Sequence, residues 1–65
     1  MKITGEYIQL NQLLKLMSWV NDGAMANDVI DQGLVKVDGT VETRRRNKIK
    51  PGMKVEFDGK EVVIS

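Results

Sequence analysis

The 65-residue sequence has room for one hydrophobic core. A chain of this length buries only about 60% of its unfolded surface, so its stability is small. It contains no cysteine and no histidine, which excludes disulfide staples and thiolate metal sites and removes the usual general base near neutral pH.

The net charge is only +1, but it is unevenly spread. Residues 1–33 carry Lys2 and Lys15 against Glu6, Asp22, Asp28 and Asp31, for −2. Residues 34–54 carry seven basic groups against Asp38 and Glu42, for +5, and residues 55–65 return to −2. Such asymmetry marks an interaction face better than the total does. The N-terminal MKITGEYIQL has its apolar residues broken by Thr4, Gly5, Glu6 and Gln9, so no signal-peptide core is present, and no apolar run is long enough to cross a bilayer. The chain therefore reads as a soluble, cytoplasmic protein in a single domain, 1–65.

In chain order, residues 2–8 alternate loosely and predict an extended edge piece. Leu10, Leu13, Leu14 and Met17 fall at i, i+3, i+4 and i+7, the stripe of one buried helical face, with Asn11 as the expected N-cap. Lys15 points away from that stripe near the helix C-terminus, where a cation suits the dipole. Ser18 to Gly23 forms an elbow. A second helix is predicted from Asp22 or Gly23 to Gln32, with Ala26, Val29 and Ile30 inward and Gly33 as a left-handed cap. Asp28 and Asp31 have no basic partner at i+4, which sets this helix face against phosphates.

From Leu34 the period switches to two. Val35 and Val37 flank Lys36, and Asp38-Gly39 is a hairpin signal. Two registers are open. A two-residue loop places Lys36 opposite Val41, whereas a three-residue loop pairs Val37 with Val41 and Lys36 with Glu42. Arg44 to Lys50 is too basic for a buried strand, with Ile49 as its one apolar anchor. Pro51-Gly52 turns into a strand carrying Val55 and Phe57, and Asp58-Gly59 turns again into Glu61–Ile64. The expected fold class is α+β: two short helices packed on a small, mostly antiparallel sheet.

The cluster Arg44-Arg45-Arg46-Asn47-Lys48 carries the strongest chemical signal. Guanidinium forks bind phosphate oxygens in a bidentate way, and Asn47 adds a hydrogen-bonding amide. Placed just after a hairpin, the cluster rests on a rigid support. Lys15 and Lys36 are weaker candidates of the same kind. Trp19 could stack on a base, but a lone Trp in a small domain is more often core, and Tyr7 and Phe57 are expected to be packing residues. No catalytic or metal site is expected. Gly52 and Gly59-Lys60 are separated by six residues and followed by Glu61, so they do not make a P-loop, and no nucleophile–base pair is present.

Over Ile8 to Phe57 the chain resembles the S4 RNA-binding domain family, and within it the small stand-alone bacterial S4-like proteins of the YbcJ/YaaA type. The resemblance rests on IQLNQLLKL, the elbow with Gly23-Ala24 and Ala26, DQGLVKVDG, and VETRRRNKIKPGMKVEF, in that order. It implies the αL fold and binding to structured RNA, ribosomal or transfer RNA, with the ribosome as a further partner. No cofactor and no membrane partner are expected. Carried over by position, the resemblance nominates Lys15, Lys36, Arg44, Arg45, Arg46 and Lys48 as RNA-binding residues. S4 domains often place Arg or Lys in the second helix near Asn27. Here Asn27, Asp28 and Asp31 stand in that region, which shifts the RNA contact to the arginine loop. The alternative function is a protein-interaction adaptor whose basic loop docks on an acidic partner surface.

Overall fold

In the computed structural model, which describes residues 1–65, the leucine stripe forms helix α1, Leu10–Leu16. Leu10, Leu13 and Leu14 are completely buried. The second helix, α2, spans Gly23–Asp31 and turns Ala26, Val29 and Ile30 into the same core. Its start is set by Asp22, whose carboxylate accepts from the Met25 N–H at 2.8 Å.

Both helices end in the same hydrogen-bond pattern, with residues of different suitability. At the end of α2, Gly33 N–H reaches Ile30 O and Leu34 N–H reaches Val29 O, with Gly33 at φ +75°. At the end of α1, Ser18 N–H reaches Lys15 O and Trp19 N–H reaches Leu14 O. These are Schellman caps, whose left-handed position favours glycine. In α1 it is filled by Ser18 at φ +58°. A side chain in that region costs about 1–2 kcal/mol. Ser18→Gly is therefore expected to raise the thermal midpoint by about 5 °C, since roughly 1 kcal/mol moves a domain of this size by about 4–8 °C. Gly33→Ala should lower it. Thermal unfolding by circular dichroism checks both.

The N-terminus of α1 differs from expectation. Gln9, not Asn11, holds the N-cap position, and it makes no side-chain cap. The first N–H groups, of Leu10 and Asn11, instead donate to the carbonyls of Asn47 and Arg45, each at 3.0 Å. A distant loop caps the helix, and no local spacing encodes that. Asn11 is freed for another task, and its Nδ2 donates to Asn27 Oδ1 at 3.3 Å, tying α1 to α2.

The strands form two antiparallel sheets. In the smaller, β1 (Ile8–Gln9) pairs with β4 (Lys48–Ile49), with Ile8 opposite Ile49 and Gln9 opposite Lys48. Of the predicted N-terminal extended piece, only Ile8 lies in a strand. The larger sheet has the order β3-β2-β5-β6, from β2 (Val35–Val37), β3 (Thr40–Val41), β5 (Lys54–Phe57) and β6 (Lys60–Val63). The open hairpin register resolves as Lys36 opposite Val41 and Val37 opposite Thr40. Turn chemistry decides it, because Asp38 (φ +51°) and Gly39 (φ +83°) both take the positive φ of a two-residue type I′ turn. Apolar matching carries little weight here because Val41 is exposed.

Eleven buried residues, all apolar, make the core. They come from both helices, from Val35, Ile49 and Val55 of the sheets, and from Val20 and Ile64. Trp19 packs on this core with its ring 6.4 Å from that of Phe57, so both aromatics are packing residues. Tyr7 is not: it is 40% exposed.

Candidate functional site

The basic segment is a tight turn held from behind. Asn47 N–H donates to Arg44 O at 3.2 Å, which places Arg45 and Arg46 at the two corners. The carbonyls of Arg45 and Asn47 face the first N–H groups of α1, so the turn's backbone is fixed to the helical pair. After the turn, Ile49 is fully buried. Alternation along β4 therefore sends Lys48 outward.

Glu42 organises the turn from the other side. Its N–H donates to Val35 O at 2.9 Å, continuing the hairpin ladder opposite a core residue. The side chain is only 14% exposed. Its carboxylate accepts from Arg44 N–H at 2.9 Å, from Arg44 Nε and Nη2 at 3.0 Å each, and from Asn47 Nδ2 at 3.0 Å. The Arg44 guanidinium, followed by the Arg44 backbone N–H, holds the Glu42 carboxyl below its ordinary pKa. Asp31 of α2 plays a similar part for Arg45, accepting from Nε at 3.1 Å and from Nη2. The hydrogen bonds from Arg45 lower its pKa in turn. A depressed carboxylate stays ionised at neutral pH, so both links are present there and are lost only as pH falls through the lowered values.

These two pairs change the charge of the site. Two of the three arginines already hold carboxylates, while Arg46 is exposed and has no ion-pair partner. The Arg45–Asp31 pair is open to solvent on both sides, and such pairs exchange readily because water and salt screen them. Arg45 can therefore leave Asp31 for a stronger anion. Arg44 is more firmly held, by a largely covered carboxylate that the Arg44 backbone N–H and the Asn47 amide also fix in place.

The other nominated residues lie at different distances from the turn. Lys48 adjoins it, with its ammonium 5.0 Å from the Tyr7 ring centroid. Lys15 is exposed in the last turn of α1, while the arginine turn caps the first. At about 1.5 Å per residue the two are separated by roughly 6–7 Å along the helix axis. Lys36 is not brought to the turn. Its neighbour Val35 faces the core, so Lys36 projects from the outer face of the larger sheet, opposite Val41 and Glu56. That face is of mixed charge, with Lys54 bridging Glu56 at 3.4 Å and Glu61 at 3.7 Å.

Two contributors were missed from sequence. Asp31 and Glu42 read as ordinary acids, yet each engages one arginine. Glu42 lies two residues before Arg44 and could have been noticed, but Asp31 and Arg45 are 14 residues apart. The side chains contain no His/Cys/Asp/Glu group able to hold a metal ion.

The S4 domain family model matches residues 1–65. The chain belongs to the S4 domain family. Among S4 relatives, it is 48% identical over 58 residues to the YbcJ protein of Escherichia coli (strain K12), whose name provisionally calls it RNA-binding, covering 89% of this chain and 83% of that protein. The YbcJ protein of Shigella flexneri matches equally. The solution structure of E. coli YbcJ, described as revealing an αL motif involved in RNA binding, superposes with a TM-score of 0.72 at 44% identity. That match covers 97% of this chain and 81% of YbcJ. The S4 fold also recurs in the crystal structure of 30S ribosomal protein S4e from Thermoplasma acidophilum. There the TM-score is 0.69 at 20% identity, over 92% of this chain and 32% of that one.

Proposed function

We propose that this S4-family chain is an RNA-binding protein that grips the phosphate backbone of structured RNA, ribosomal or transfer RNA, with the turn from Arg44 to Lys48. The observation that carries the reading is the fixed turn. Its backbone is bonded to α1 and its base to Glu42, so Arg46, Lys48 and the exchangeable Arg45 are offered to an anion without first being ordered. The αL motif of YbcJ, described as involved in RNA binding, supports the same reading. Lys15, on the exposed side of α1, extends the contact, and Lys36 meets only the periphery of the RNA.

The protein acts by binding rather than catalysis, as a single module in the cytoplasm. No helix is long and apolar enough to cross a membrane. A salt titration of binding to a ribosomal RNA fragment tests the proposal. With about five phosphates neutralised, log K falls against log salt with a slope of roughly −3 to −5. Affinity that does not respond to salt would overturn it.

A further inference from the structure

Beside the arginine turn lies a feature that phosphate binding leaves unused. The N-terminal segment and the outer side of α1 enclose an open groove of about 470 Å³, lined on its apolar side by Met1, Ile3, Tyr7, Ile8 and Leu16. Small-molecule sites span about 300–1,000 Å³, so one base and its sugar fit this volume. Tyr7 is 40% exposed and Leu16 64% exposed, so both side chains can touch an occupant of the groove.

The rim is polar and cationic. Thr4, Gln9 and Gln12 line it with donors and acceptors, and Lys2 is the one charged side chain among its lining residues. Glu6 precedes Tyr7 in the chain but does not line the groove. Lys15 borders the end of the groove formed by Gln12 and Leu16. Lys48, whose ammonium lies over the Tyr7 ring, joins the groove to the arginine turn.

We propose that this groove receives one unpaired nucleobase of the bound RNA, stacked against Tyr7 and Leu16, with the Gln9 and Gln12 amides facing its polar edge and Lys48 meeting its phosphate. The inference rests on the RNA-binding reading above and adds a single-stranded subsite to it. Three features select this occupant. An aromatic ring with an apolar floor stacks any base, amides pair with base edges, and cations without carboxylates suit the attached phosphate. An apolar protein segment would use the floor and leave three lysines unpaired.

The test compares an RNA hairpin having unpaired loop nucleotides with the same stem as a blunt duplex. Binding is measured for the unsubstituted protein and for Tyr7→Leu, Tyr7→Phe and Leu16→Ala. Stacking predicts a loss of roughly five- to one-hundredfold for Tyr7→Leu on the hairpin alone. It also predicts an unchanged salt slope, near-normal binding for Tyr7→Phe and a smaller loss for Leu16→Ala. A hairpin substituted with 5-bromouridine in its loop should cross-link to the peptide containing Tyr7, a readout that needs no folded variant. Equal losses on both RNAs, no loss on the hairpin, or cross-links only elsewhere would overturn the subsite while leaving the phosphate reading intact. Failure of the unsubstituted protein to bind either RNA would overturn both.

Discussion

Replacing Arg44, Arg45 and Arg46 together by glutamate is expected to weaken RNA binding by at least about 100-fold near physiological salt and to flatten the salt dependence. The three guanidinium groups are not equivalent, and single substitutions should reveal it. Arg46 has no internal partner, so Arg46→Ala removes a free phosphate ligand and should cost the most. Arg45 must first leave Asp31, so Arg45→Ala should cost less. Asp31→Asn runs in the opposite direction. It keeps the side-chain shape, removes the competing charge and releases Arg45, so affinity should rise several-fold and the salt slope steepen by up to about one unit. Filter binding at three salt concentrations resolves all of these. If Arg46→Ala binds normally, or if Asp31→Asn weakens binding, the turn does not contact phosphate in the way proposed. An adaptor function would show itself differently, because the protein's partner would survive ribonuclease treatment in a pull-down.

The asymmetry among the arginines also shows where sequence reading stops. Residues 34–54 carry a charge of +5, and counting alone makes every arginine in that stretch available. The Arg45–Asp31 pair depends on where α2 lies relative to the hairpin, a tertiary relation with no local signature, whereas the Arg44–Glu42 pair joins residues two apart in the chain. Features fixed by local rules were legible. The leucine stripe of α1, the inner face of α2, its Asp22 start and its Gly33 end follow from helical period and capping chemistry. The Asp38-Gly39 turn was legible as a turn, and its φ angles settled a register on which turn chemistry and side-chain matching had pointed opposite ways. Asn11 misled because it had the chemistry of a cap but lies two residues past the N-cap position, Gln9. The real caps are carbonyls from a loop more than thirty residues away. Tyr7 misled because an aromatic in a small chain is usually needed for the core, and here Trp19 and Phe57 already pack against it.

The dependence of the site on the core makes the last prediction the most severe. Ile49 is fully buried, pairs with Ile8 across the small sheet, and anchors the strand that leads out of the arginine turn. Truncating such a side chain costs about 2–5 kcal/mol. A 65-residue chain has only about 3–10 kcal/mol of total stability at the usual value per residue. Ile49→Ala should therefore lower the thermal midpoint by at least about 10 °C and leave a large unfolded fraction at 37 °C. The milder Ile49→Val, at about 0.5–1.5 kcal/mol, keeps the fold and isolates the coupling. With the anchor loosened, the turn should separate from α1 more often. The Leu10 and Asn11 amides, which donate to the turn's carbonyls, should then lose more exchange protection than the Val29 and Ile30 amides of α2. RNA affinity should fall by a few-fold with its salt slope unchanged, because the charges remain and only their pre-ordering is lost. Native-state hydrogen exchange read beside a binding titration checks both parts. Uniform loss of protection across both helices would mean that the turn is not a separately opening unit, and that Ile49 serves global stability alone.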